Sequence, residues 1–451
     1  MSFLCCIVLS AVLAAGAAEP PSGPIDLFGA IRIALAHNPD LERAQAQVRQ
    51  AEARLLEARS RFYPTVSLET ELLAADAPSS YLFKKIDQRR LRPNTNFNHP
   101  GQLENSEVGV GLFYNLYSGG RDVRSKRIGE LDVSVSGNQQ QTVENRLIHA
   151  VIEAYFDTLA AIELIRAAGQ SVETVKEQLR ETQIRFQGGS ALRSDVLSLE
   201  VRLAEAEEEV IRSENARDLA LVLLANLMGL GDWQGLQLSG KEWHPRPIPD
   251  SAQEALPNAF QDRPEAAAAR TMVERSQLEV SQARSEYLPR VDTFARLYAD
   301  DNRFSYRADD ANWTIGVALG WDLYSGPRRK AHRHLAEAGV DEMMAMDRQT
   351  KQQILLDVNR AYLNLKAATT RHEVTQASVT QAEESLRLVK RQFEGGAATV
   401  TRYLDAEGDL TAARVREIAA RYDVKKAQAD VGRALGWCSL CAREALQAGG
   451  K

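Results

Sequence analysis

The sequence is written twice, and this duplication limits the possible folds more than any other feature. Asn38-Pro39-Asp40 opens a helical pattern that stops at Tyr63-Pro64; Arg263-Pro264-Glu265 opens another that stops at Leu288-Pro289. The prolines move from 39 to 264 and from 64 to 289, a shift of 225 in both cases. Leu116-Tyr117-Ser118-Gly119 then returns as Leu323-Tyr324-Ser325-Gly326, and Ala154-Tyr155 as Ala361-Tyr362. Phe186-Gln187-Gly188-Gly189 returns as Phe393-Glu394-Gly395-Gly396, and Leu227-Met228-Gly229 as Ala434-Leu435-Gly436, all shifted by 207 (116 to 323, 186 to 393). The drop from 225 to 207 puts 18 extra residues in the first copy, between Pro64 and Glu107. A fixed period of this kind means a repeated structural unit. The expected division is a leader at 1–18, a first repeat at 19–230, a linker at 231–250, a second repeat at 251–437 and a tail at 438–451.

Each copy reads as helix, strand, strand, very long helix, turn, helix. Pro39 and Pro264 suit a first helical turn, where the missing N–H costs nothing. The segment from Gly120 to Phe186 contains no proline and predicts a helix of about 100 Å; the segment from Arg328 to Phe393 behaves alike. Ile165, Ala168, Val172, Val175, Leu179, Thr182 and Phe186 recur at 3-4 spacing, continued after the turn by Val196, Leu199, Leu203, Ala206 and Val210. That is a heptad seam. An ordinary helical bundle would show the same seam, but it would not explain the strands.

Val108, Val110, Leu112, Tyr114 and Leu116 alternate with small or polar residues, and Ile315, Val317, Leu319, Trp321 and Leu323 match them position by position. One apolar face with an aromatic and one small or polar face is the pattern of a transmembrane β-strand, and these residues are expected to face lipid. A half-buried soluble sheet would also alternate. Weaker partners are Val66, Leu68, Thr70 and Leu72, and Val291, Thr293, Ala295 and Leu297, whose other faces carry Glu69, Glu71, Asp292 and Arg296. One chain supplies four strands. A membrane sheet must close on itself, and bacterial barrels begin at about eight strands. Two chains would make too narrow a barrel; three would make about twelve strands and leave a channel.

Composition removes other classes. With 44% hydrophobic and 26% charged residues and a mean hydropathy of −0.33, no mature segment approaches the roughly 20 apolar residues of a spanning helix. A net charge of −6 gives no support to nucleic-acid binding. Phe3 to Ala15 followed by Ala15-Gly16-Ala17-Ala18 reads as a secretory leader without the usual basic start. Cys5 and Cys6 leave with it. Cys438-Ser439-Leu440-Cys441 has redox or zinc spacing, but there is no second pair, so no catalytic role is expected and an incidental disulfide remains open. His332 and His334 stand two apart and do not share a helix face, so no metal is assigned to them. No nucleophile elbow, phosphate loop or cofactor motif is present.

These motifs together resemble the outer membrane efflux protein family, the TolC type. Its helix opening is matched by Ala34-Leu35-Ala36-His37-Asn38-Pro39-Asp40-Leu41. Its strand-to-helix corner is matched by Leu116-Tyr117-Ser118-Gly119-Gly120-Arg121 and Leu323-Tyr324-Ser325-Gly326-Pro327-Arg328. Its helix-tip turn is matched by Arg185-Phe186-Gln187-Gly188-Gly189 with Asp195-Val196-Leu197, and by Phe393-Glu394-Gly395-Gly396 with Tyr403-Leu404-Asp405-Ala406. The likeness covers residues 27 to 437. It implies a mainly α fold with a small β part: long coiled-coil helices in tandem plus two β-hairpins, assembling as a homotrimeric twelve-strand β-barrel in outer-membrane lipid on an α-helical barrel in the periplasm. It also implies a periplasmic adaptor and an inner-membrane pump as partners, an exit duct in a tripartite efflux or type I secretion system, and no enzyme activity or cofactor.

The resemblance makes Gly188, Gly189, Gly395 and Gly396 the tips that meet the adaptor, and Asp195 and Asp405 candidates for a periplasmic gate. Arg402 stands where the family pattern offers a second acid. Asp195 and Asp405 would equally serve as solvated acids at helix N-termini. Tyr114, Tyr117, Trp313, Trp321 and Tyr324 fit an aromatic girdle. The segment from Asp76 to Leu103, with Lys84, Lys85, Arg89, Arg90 and Arg92, is expected to be an external loop that covers the mouth, touches lipopolysaccharide phosphates or is merely solvated. The competing reading of the whole chain is a soluble periplasmic coiled-coil scaffold or adaptor.

Overall fold

A computed structural model describes residues 23–241, 243 and 245–437. The expected leader and the Cys438–Cys441 tail lie outside these residues. The duplication reappears as paired elements. Helices α1 (Leu27–His37) and α6 (Ala252–Asp262) correspond, as do α2 (Pro39–Ser60) and α7 (Pro264–Arg284). Strands β1 (Thr65–Ala75) and β2 (Leu103–Tyr117) flank helix α3 (Pro78–Asp87) in the first repeat; β3 (Arg290–Asp301) and β4 (Ala311–Gly320) are joined by a short loop in the second. Helices α4 (Arg121–Gln187) and α8 (Arg328–Glu394) have 67 residues each, and α5 (Arg193–Leu227) and α9 (Val400–Ala434) have 35 each. At 1.5 Å per residue α4 and α8 are about 100 Å long. No helix among the described residues is long and apolar enough to cross a membrane.

The compact units do not coincide with the repeats. Among the described residues, one unit joins 23–46, 138–267 and 349–437; the other joins 47–137 and 268–348. Each repeat therefore contributes to both.

The first unit is helical. Asp26 caps α1 by accepting from Gly29 N at 2.8 Å, and Asn38 starts α2 by accepting from Asp40 N at 2.9 Å, just before Pro39 at the first helical position. One core gathers α1, the middle of α4, the end of α5 and part of α9 around Tyr155, Phe156, Leu224 and Met228. The Tyr155 hydroxyl donates to Ile25 O at 3.1 Å and to Ser239 O. A second core gathers α6, α8 and the end of α9 around Ile354, Val358, Val431 and Leu435. There Tyr362, the repeat partner of Tyr155, donates to Pro249 O at 3.1 Å. Residues 231–250, expected as a linker, thus pack against both repeats through paired tyrosines. In the seam, Ala168, Val172, Val175, Thr182, Val196 and Leu199 are buried, whereas Phe186 at the tip is exposed.

The second unit holds a four-stranded antiparallel sheet in the order β1-β2-β3-β4. The two hairpins pair with each other through β2 and β3. β4 is shorter than the apolar pattern suggests. Its last pair is Gly320 with Arg290, and Pro289, which has no N–H to extend the ladder, precedes β3. Trp321 and Leu323 therefore follow the strand rather than belong to it. Trp321 Nε1 donates to Tyr287 O at 3.2 Å.

Candidate functional site

The sheet register places apolar residues of all four strands in continuous rows. Leu68, Val110, Leu297 and Trp313 form one row; Val66, Leu112, Ala295 and Ile315 form the next; Tyr114, Thr293 and Val317 follow. Leu68 is 78% exposed, Trp313 74% and Ile315 70% in the chain. A water-soluble protein rarely leaves so large a contiguous apolar face open. Val108 and Tyr114 are half-buried, while Val110, Leu112, Val317, Leu319 and Trp321 are exposed. The aromatic residues separate along the strands. Trp313 stands near the hairpin-loop end, whereas Tyr114, Tyr117, Trp321 and Tyr324 lie toward the ends that lead into α4 and α8.

The opposite face is mostly small or polar, with Phe113 and Phe294 paired across β2 and β3. Glu71, Glu107 and Asp300 share one row, Ser67 and Arg296 another. Arg296 Nη2 bonds Glu69 at 3.1 Å and Glu107 at 2.9 Å. Charged groups at mid-membrane on a lipid-facing side cost about 2–4 kcal/mol each for Arg or Lys, so this face belongs to water. Among the described residues, each of β1 and β4 has one edge without a partner strand.

The helix tips form in the first unit. Gly189 has φ +76° and Gly396 φ +73°, where any other L-residue would be strained. Gly188 and Gly395 do not have positive φ, so only the second glycine of each pair is required by the turn. Tyr403 ties the two hairpins together. Its ring stacks on Phe393 at 5.4 Å between centroids, and its hydroxyl accepts from Gln178 Nε2 at 2.9 Å. Gln178 also donates to Glu407. Burial raises the Glu407 pKa, the Gln178 hydrogen bond and nearby Lys390 only partly opposing it. Burial and then the Glu407 charge push Tyr403 up to about 12. The motif reading does not reach Gln178 or Glu407, because their pairing joins helices about 225 residues apart and no local spacing records it.

The gate candidates behave differently from one another. The Asp195 carboxylate accepts from Leu192 N at 3.1 Å and so caps α5. Asp405 is exposed and borders a cleft of about 710 Å³ with Leu197, Val201, Arg202, Thr401 and Asp409. Arg402 is exposed, and among the described residues neither it nor Asp405 forms a salt bridge within the chain. His332 and His334 engage separate carboxylates, Glu286 at 3.0 Å and Glu337 at 3.3 Å.

The sequence matches the outer membrane efflux protein family over residues 30–230 and 255–437. The chain belongs to that family. It is an outer-membrane efflux channel, and members of the family are transport channels rather than enzymes. Among curated relatives, the protein CyaE of Bordetella pertussis is 24% identical over 88% of this chain and 82% of its own length. The pyoverdine export outer membrane protein OpmQ of Pseudomonas putida is 25% identical over 90% and 84%. The crystal structure of the Campylobacter jejuni CmeC outer membrane channel superposes with a TM-score of 0.79 at 18% identity, covering 93% of this chain and 88% of that one. Efflux-family architecture accounts for the joint presence of an exposed apolar sheet face and helices of about 100 Å in one chain.

Proposed function

We propose that three copies of this chain close their sheets into a twelve-strand barrel and act as the passive exit duct of a tripartite efflux or type I secretion system. The carrying observation is the four-stranded sheet, apolar and exposed on one face, polar on the other, with unpaired edges at β1 and β4. In lipid those edges need partners. β4 of one copy meeting β1 of the next satisfies them around a threefold axis. Energy comes from an inner-membrane pump, and a periplasmic adaptor docks at the turns of Gly188-Gly189 and Gly395-Gly396. Exposed Asp405, with Arg402 one turn earlier, lines the periplasmic gate; Asp195 serves mainly as a cap. Purified protein in planar bilayers should give cation-sensitive channels. Asp405→Ala should change the closed-state conductance or selectivity. Unchanged values would remove Asp405 from the gate, and absence of any channel would refute the duct.

A further inference from the structure

Helix α3 has no α-helical counterpart in the second repeat, where the β3–β4 connection holds only a single 3-10 turn at Ala308–Asp310. The β1–β2 connection runs from 76 to 102, the β3–β4 connection only from 302 to 310, and this difference accounts for the whole drop from 225 to 207. α3 lies on the polar face of the sheet, at the hairpin-loop end. Its Lys84 ammonium sits between Glu107 and Asp300, 3.0 Å from the latter. Gln88 Nε2 donates to Asn105 Oδ1 at 2.7 Å, Asn105 Nδ2 donates to Asp300 Oδ1 at 2.6 Å, and Asn312 Nδ2 donates to Asp87 O at 3.2 Å. Gln88, Asn105, Glu107 and Asp300 are all buried. A helix of ten residues has no stability of its own in water, so these ties hold it in place. Burial pulls the Lys84 pKa down, but hydrogen bonds and charge from Glu107 and Asp300 outweigh it and raise the value to about 12. The pin stays charged at neutral pH.

The exposed surface of α3 carries two large apolar side chains. Ile86 lies about 200° around the helix from Lys84 and Gln88, and Phe83 about 100–140° from them; Phe83 is 65% and Ile86 48% exposed. Both are open to solvent beside the polar face of the sheet. An exposed Phe and Ile there are unexplained by packing within the chain.

We infer that α3 is a constriction at the outer end of the duct: three copies, pinned by Lys84, narrow the opening and border it with Phe83 and Ile86. The insert of the first hairpin then limits the size of solute that passes that end, and its apolar rim resists wetting. This rests on the trimeric-duct reading above.

The test is thiol labelling from outside intact cells, in a Cys438→Ser, Cys441→Ser background, with a maleimide–polyethylene glycol too large for porins. Ser67→Cys reports the polar face of the sheet, and Asn98→Cys reports the exposed loop. Asn98→Cys should label rapidly and Ser67→Cys slowly. Adding Phe83→Ala, whose side chain is exposed and whose loss leaves the ties intact, should speed Ser67→Cys labelling several-fold, as should Lys84→Met. Rapid labelling of Ser67→Cys without either change, or slow labelling that neither change relieves, would overturn the constriction alone. Failure of Asn98→Cys to label would overturn the outer-membrane duct and the constriction with it.

Discussion

The Lys84 ammonium lies 3.0 Å from the Asp300 carboxylate, so a helix present only in the first repeat is fastened to a strand of the second. Asp300 is fully buried on its side chain and also accepts from Asn105. Removing its charge leaves Lys84 with Glu107 alone and weakens the hold on α3. Asp300→Asn should therefore expose the basic segment from Lys85 to Arg92, and trypsin added to intact cells should cut there several-fold faster than in the parent protein. An unchanged cleavage rate would mean that the ion pair does not hold α3.

The two faces of the sheet should tolerate charge differently. Val317→Arg puts a guanidinium on the apolar face and should cost about 2–4 kcal/mol if that face meets lipid near mid-membrane. Thr314→Arg, on the face of Ser67 and Arg296, should cost far less. Urea titration of protein folded into lipid vesicles measures both. Equal losses would remove the distinction between lipid and lumen.

At the tips, Gly396→Ala should destabilise by roughly 1–2 kcal/mol because it forces a Cβ into the left-handed region. Gly395→Ala, where the backbone is not left-handed and the nearest atom to a new Cβ is at 3.4 Å, should have little effect. Hydrogen exchange in the α8–α9 turn separates the two.

Much of the architecture was legible because duplication is a global signal that survives weak local propensity. The offsets of 225 and 207 anticipate the matched bounds of α2 with α7, α4 with α8 and α5 with α9. Helices α1 and α6 were harder to read. LFGAIRIALAH is short and apolar over most of its surface, so its buried face of Leu27, Ala30, Ile31 and Ala34 does not stand out, and α6 carries Pro257 in its interior. α3 was not readable as a helix at all, since its ten residues are held by Lys84 and Gln88 reaching strands that are distant in sequence. The candidate gate was only half legible. The spacing that nominates Asp195 and Asp405 does not record that Asp195 is engaged by Leu192 N while Asp405 is exposed.

His149 predicts a pH dependence for the helical unit. It lies 3.5 Å from both Glu153 and Asp430, yet burial, with Arg433 adding to it and Asp430 opposing it, lowers its pKa from 6.5 to about 4. Between those values the unfolded chain binds more protons than the folded one, so stability rises with pH across the window and is lost as pH falls from about 6.5 to 4. The loss should be on the order of 3 kcal/mol or less. His149→Gln should flatten that part of the profile in denaturant titrations at successive pH values; an unaltered profile would assign the acid sensitivity to other groups.

The most direct test of the account is the location and mass of the native protein. Membranes separated by density, followed by light scattering on unheated detergent extracts, should find the protein in the outer membrane at the mass of three chains, dissociating to one chain on heating. A soluble monomer in the periplasm, or an outer-membrane species of two chains, would contradict the twelve-strand duct.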